Sequence, residues 1–174
     1  MNLWMLVPEQ NPVFTDAAQP TVWVYVPHEA SDVRTLELTL SDYGDDNLAN
    51  RPYRQQVTLP ATPGVVGIRL PAGLVQLGRR YRWYLELYCR ENEGQEPDQS
   101  VEAGLRRIVP NSPEVLQASP PGYWYDRVTT LARQRLADPN NPQLQRQWAA
   151  LLTEIGQGEI ADKPLLGEVE LPAP

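Results

Sequence analysis

Hydrophobic and polar positions alternate with period two through the first 110 residues. The stretch "PTVWVYVP" spans residues 20–27 between prolines. In "RTLELTLSD", Leu36, Leu38 and Leu40 share one side while Thr35, Glu37 and Thr39 share the other. "YRQQVTL" groups Tyr53, Gln55, Val57 and Leu59. "GVVGIRLP" sets Val66, Ile68 and Leu70 against Val65 and Arg69, and "SVEAGLRRIV" follows a polar loop. Successive strand side chains point to opposite faces, so this pattern predicts short strands with one buried and one wet face. Turn-forming text separates them, including "PATPG" and "RENEGQEPDQ". Strands with no helix between them predict a mainly β fold, an antiparallel sandwich of immunoglobulin or fibronectin type over residues 1–110.

The segment "QLGRRYRWYLELYC" carries the clearest pattern. Tyr81, Trp83, Leu85, Leu87 and Cys89 share one parity; Arg82, Tyr84, Glu86, Tyr88 and Arg90 share the other. The first set predicts a core face and the second an amphipathic outer face. A tyrosine entering such a strand after a glycine turn matches the tyrosine corner of β-sandwiches, with Gly78 as the turn and Tyr81 as the pin. Arg82, Tyr84, Tyr88 and Arg90 form a candidate outward contact surface.

After Pro110 the period changes. Trp124, Val128, Leu131 and Arg135 recur at helical spacing, with Leu136 beside them, and Leu144, Trp148, Leu151, Leu152 and Ile155 repeat the pattern. Asn141 is placed to cap the second helix, Pro142 to open it and Gly156 to end it. The breaker "ADPNNP" predicts that residues 111–160 form an α-helical hairpin packed on the sandwich. Residues 161–174 read as a partly mobile tail.

Composition narrows the function classes. The chain has 174 residues, 41% of them hydrophobic and 21% charged, within the globular range. A net charge of −7 argues against a general nucleic-acid binder, which needs a basic face. The longest apolar run, "LWMLV", is too short to insert across a membrane, and "MNLWMLVPEQ" lacks the basic start of a signal peptide. Cys89 is the only cysteine and reads as a packed thiol.

Catalytic, cofactor-binding and metal-binding residues do not emerge. His28 is the only histidine and has no second histidine or cysteine partner for a dyad, and no nucleotide or zinc motif is present. Asp42, Asp45, Asp46 and Asn47 in "SDYGDDN" could ligate calcium, but their order does not follow a calcium-hand loop, and a turn held by its own side chains is the favoured reading. In "YWYD", Trp124 falls on the apolar stripe, whereas Tyr123 and Tyr125 are expected outside it, as further contact residues or a sugar-stacking platform.

The landmarks "LVPE", "PTVWVYVP", "PGVVGIRLP", "LGRRYRWYLELYC", "WYDRVTTLARQR" and "WAALLTEIG" occur in an order that resembles a bacterial domain-of-unknown-function family abundant in cyanobacteria. The resemblance implies a sandwich with a C-terminal helical segment, and an exported protein. Relatives often hold a second cysteine in a segment ahead of this one, a potential partner for Cys89. The resemblance carries no catalytic residue. The expected function is a non-enzymatic protein-interaction module with a protein partner and no cofactor; the alternative is a ligand- or carbohydrate-binding sandwich associated with a sensor.

Overall fold

The alternating segments become strands. The computed structural model describes residues 1–9, 12–43 and 52–174. Among these lie nine strands: β1 (Trp4–Met5), β2 (Phe14–Thr15), β3 (Thr21–Val26), β4 (Val33–Asp42), β5 (Tyr53–Gln56), β6 (Gly64–Arg69), β7 (Arg80–Cys89), β8 (Gln99–Arg107) and β9 (Leu165–Glu170). Helices α1 (Pro113–Leu116), α2 (Trp124–Ala137) and α3 (Pro142–Glu154) lie between β8 and β9. One sheet has the order β1-β3-β6-β9 and the other β2-β8-β7-β4-β5.

In the five-stranded sheet, parity decides burial. Leu36, Leu38 and Leu40 of β4 and Tyr81, Trp83, Leu85 and Leu87 of β7 are buried. They pair in register, Leu40 opposite Trp83 and Leu38 opposite Leu85. Gly78 has φ +80°, a conformation that costs glycine little, and turns the chain into β7. The Tyr81 hydroxyl then accepts a hydrogen bond from the Gln76 amide (2.9 Å), five residues upstream.

The four-stranded sheet departs from the alternation. All six residues of β3 are buried, as are Gly64–Ile68 of β6, including Val65. Val65 and Arg69 were expected on a wet face, but α2 covers that face, so both sides of β3 lack water. The Trp23 ring crosses Gly67 of β6; a Cβ there would lie 2.8 Å from the indole. Glycine is therefore required by close approach at this position.

The tail contributes a strand. Residues 161–174 contain β9, which pairs parallel with β6. Glu168 accepts a two-pronged bond from Arg133 of α2 (2.8 and 2.9 Å) and a third from the Thr21 hydroxyl (2.6 Å). Burial would raise the Glu168 carboxyl, but these donors hold it below its ordinary value. The Tyr53 hydroxyl donates to the Pro172 carbonyl (2.6 Å), joining the end of the chain to the other sheet. Among the described residues, two of the seven strand pairings, β6–β9 and β2–β8, are parallel. The expected all-antiparallel arrangement is corrected at these edges: β9 follows the helical excursion, and a long connection allows parallel entry.

Helix α2 joins the two sheets. Trp23, from the four-stranded sheet, donates its indole N–H to the Thr129 hydroxyl (2.9 Å), which itself donates to the Tyr125 carbonyl one turn earlier (2.8 Å). Trp83, from the other sheet, donates to the Tyr125 hydroxyl (2.9 Å), and that hydroxyl donates to the Gly104 carbonyl (2.6 Å). The Trp124 indole donates to the Leu6 carbonyl (2.8 Å). The buried stripe is thus Trp124, Tyr125, Val128, Thr129 and Ala132. It is rotated from the expected one, and Leu136 lies exposed. Helix α3 begins as expected, with the Asn141 side chain accepting from the Gln143 and Leu144 amides. It meets α2 through Arg127–Glu154 and through the Arg135 guanidinium over the Trp148 ring.

Asp126, in the first turn of α2, accepts from the Thr15 hydroxyl (2.8 Å) and the Asp16 amide (2.9 Å). Burial pushes its carboxyl up to about 6, against the partial offset of those bonds. A carboxyl raised in the folded state favours folding while protonated, and that contribution fades as pH rises through the folded value. The stability of the wild type minus that of Asp126→Asn should therefore be greatest near the unfolded carboxyl value of 3.8 and fall toward neutral pH, measured by urea unfolding across this range. Tyr125→Phe leaves the Trp83 N–H and the Gly104 carbonyl unpaired in the core and should cost about 1–3 kcal/mol. Tyr81→Phe leaves only a partly buried amide and should cost about 1 kcal/mol. Thermal unfolding of the two variants checks both the losses and their order.

Candidate functional site

The even-numbered residues of β7 emerge on the outer face of the five-stranded sheet. Arg82, Tyr84, Glu86 and Tyr88 are each half-buried there, flanked by β4 and β8. Register places Thr39 and Glu102 on either side of Tyr84, and Glu37 and Ser100 on either side of Glu86. Arg54 of β5 extends the surface beside Thr39.

Charges on this face are mutually compensated. Glu37 and Glu86 lie directly opposite, a repulsive arrangement in a sheet. Arg54 offsets it by approaching Glu37 at 3.5 Å, and the Tyr88 hydroxyl donates to Glu86 at 3.3 Å. Partial burial, then the Glu86 charge, raises the Tyr88 phenol above its ordinary value. Arg82 pairs with Glu102 at 3.2 Å and lies over the Tyr43 ring. Arg34 lies over the Tyr88 ring and donates to the Gly94 carbonyl (2.9 Å). Guanidinium stacked on aromatic faces gives broad, rigid contact area with residual donors.

The expected contact residues separate into three groups. Arg82, Tyr84 and Tyr88 come together on the sheet face. Arg90 is exposed in the turn after β7, where its amide bonds the Asp32 carbonyl. Tyr123 and Tyr125 do not join them. Tyr125 is 1% exposed, and its place in the contact surface is corrected: its hydroxyl is needed between Trp83 and Gly104, and burial pushes its phenol up. Tyr123 is half-buried, packs beside Phe14, Ile108 and Val115, and donates to the Val109 carbonyl (2.8 Å). The "YWYD" text therefore offers no sugar-stacking platform of paired tyrosines. A signal for Tyr125 was present in its i, i+4 spacing to Thr129, but helical periodicity read on hydrophobicity alone favours the leucines.

The other candidates for chemistry have local partners. The His28 ring lies 2.9 Å from the Gln99 amide nitrogen, and the Gln99 carbonyl oxygen accepts from the Leu3 amide (2.6 Å). For Gln99 to donate, His28 Nε2 must be unprotonated. Partial burial, then the Asp98 charge, raises the Cys89 thiol, the opposite of nucleophile activation. Among the described residues no group of three or more His, Cys, Asp or Glu is arranged to hold a metal ion. Asp45, Asp46 and Asn47 of the calcium reading lie outside the described residues. Among the described residues no helix is long and apolar enough to cross a membrane.

These features define a mainly β protein of two sheets carrying three helices near its C-terminus. Residues 1–165 match the family model described as Domain of Unknown Function (DUF928), and the chain belongs to that family. No curated protein and no solved structure matches the sequence.

Tyr84→Ala and Tyr88→Ala, which remove half-buried cross-strand contacts, should cost about 1 kcal/mol each. Trp83→Ala, one position away and fully buried, should cost about 3–5 kcal/mol. Chemical denaturation of the three variants tests whether contact face and scaffold separate at single-residue resolution.

Proposed function

We propose that this chain is a non-enzymatic protein-interaction module whose contact face is the outer face of the five-stranded sheet, centred on Arg82, Tyr84 and Tyr88. The supporting observation is the unequal covering of the two sheets. Helix α2 covers the outer face of β3, whereas the aromatic and arginine residues of β7 stay half-exposed on a rigid ladder. Tyrosine and arginine are enriched where proteins meet: tyrosine brings large contact area with little loss of side-chain freedom, and arginine brings a planar fork of donors that also stacks on aromatic rings. The raised Cys89 thiol and the engagement of His28 by Gln99 favour a binding role over a catalytic one.

We also infer an immunoglobulin-like frame bearing a helical hairpin. The strand orders, the Tyr81–Gln76 corner bond and the short link Asp138–Asn141 between α2 and α3 support that reading.

A photo-crosslinking residue at position 84 or 88 should capture a protein partner in the native host, and one at Gln145, exposed on α3, should not. Equal capture from all three positions, or capture from 145 alone, rejects this face. Replacing both tyrosines by alanine should weaken the captured complex by about tenfold or more.

A further inference from the structure

The five-stranded sheet is polarised in charge along its strands. The turns at one end are rich in carboxylates, with Glu29 and Asp32 before β4 and four more between β7 and β8. The Arg90 amide, bonded to the Asp32 carbonyl, joins these two turns. The other end gathers arginines, Arg79 and Arg80 where β7 begins and Arg106 and Arg107 where β8 stops. The Gly78 amide donates to the Arg107 carbonyl (2.7 Å), and Arg80 sits directly opposite Arg106. Like charges so placed repel, and a nearby anion relieves them. Arg79 is taken by Asp42 and Arg106 by Glu114. Arg80 and Arg107 have no ion-pair partner among the described residues, and Arg107 keeps donors beyond its bond to the Val75 carbonyl (3.1 Å).

The arginine end also holds apolar side chains in water. Six large hydrophobic side chains are exposed among the described residues, and four of them lie here: Tyr43 (71%), Leu77 (52%), Val109 (48%) and Leu116 (76%). The Tyr43 amide donates to the Arg80 carbonyl (2.9 Å), and Leu77 sits in the turn that enters β7. Val109 follows β8, and the Arg106–Glu114 pair holds α1, with Leu116, beside that strand. Exposed apolar side chains grouped in this way mark an interaction surface. They stand on four separate connections and form no groove, so they offer separate tips rather than one continuous patch. A fluid lipid surface admits separate apolar tips beside cations, whereas a protein partner needs a continuous complementary area. The net charge of −7 does not oppose this. β7 is ten residues long, so the carboxylate turns lie roughly 30 Å away, about three screening lengths at 0.1 M salt.

We propose that this end of the sheet docks on the surface of an anionic lipid bilayer. Leu77, Val109 and Leu116 enter the headgroup layer, with Tyr43 at its boundary. Arg80 and Arg107 meet lipid phosphates, which supply the anion that the opposed arginines lack. The contact is peripheral, and no segment spans the bilayer. The surface lies at the strand ends rather than on the Tyr84–Tyr88 face, so failure of either reading leaves the other standing.

Vesicle flotation of the full chain tests the surface. The wild type should float with vesicles of phosphatidylglycerol and phosphatidylcholine in equal parts, and not with phosphatidylcholine alone. The double variant Leu77→Ser, Leu116→Ser alters only exposed side chains and should remain folded by circular dichroism. It should bind the anionic vesicles about tenfold more weakly or worse. Arg80→Gln should bind about fivefold more weakly. Leu136→Ser removes an exposed leucine near the far end of α2, roughly 20 Å along the helix, and should bind like the wild type. The comparison of the two vesicle types needs no variant. Absence of flotation with the anionic vesicles, equal flotation with the neutral ones, or undiminished binding by the double variant would overturn the surface. Capture by soluble polyglutamate that depends on Arg80 but not on the two leucines, without flotation, would overturn the choice of lipid and assign this end to an acidic protein.

Discussion

Two buried indole N–H groups, one from each sheet, depend on neighbouring turns of a single helix. Trp23 donates to Thr129 and Trp83 donates to Tyr125, while Thr129 closes back onto the Tyr125 carbonyl. A buried indole without an acceptor loses the hydrogen bond it had to water, and that loss is not recovered by packing. Helix α2 therefore cannot be repositioned along or around its axis without orphaning one of the two. The demand is stricter than hydrophobic contact, which tolerates sliding. It fixes α2 against both layers at once and makes the helical segment part of the same core as the strands.

The consequences spread outward. Because α2 lies on β3, the outer face of the four-stranded sheet must be dry. That accounts for the unbroken burial of β3 and for Gly67, where a side chain would displace the Trp23 ring. The same docking brings Arg133 over the sheet, where it meets Glu168 and anchors β9. One sheet is thereby enclosed, and the polar, aromatic face around Tyr84 and Tyr88 is left to the other. Tyr125 also caps the Gly104 carbonyl of β8.

The predicted features that rested on local rules are present where they were placed. The parity of β4 and β7, the turn at Gly78, the bond from the Gln76 amide to Tyr81 and the Asn141 cap each involve residues a few positions apart or a strict two-residue period. The candidate face was legible to the same degree, since Arg82, Tyr84 and Tyr88 follow from β7 parity alone. Tyr125 was misplaced because its role depends on Trp83 and Gly104, respectively 42 and 21 residues away.

The sequence by itself determined which segments are extended, which are helical, and which side of each long strand faces oil. Those properties follow from the spacing of apolar groups along a backbone with two soft torsions per residue. Only the tertiary structure decided that β3 is dry on both sides, that the C-terminal text returns as β9 beside β6, and that Tyr125 is scaffold. Each of these depends on where a distant helix or strand comes to rest, and that is set by the joint satisfaction of buried polar groups from separate elements. No window of residues read alone contains that condition.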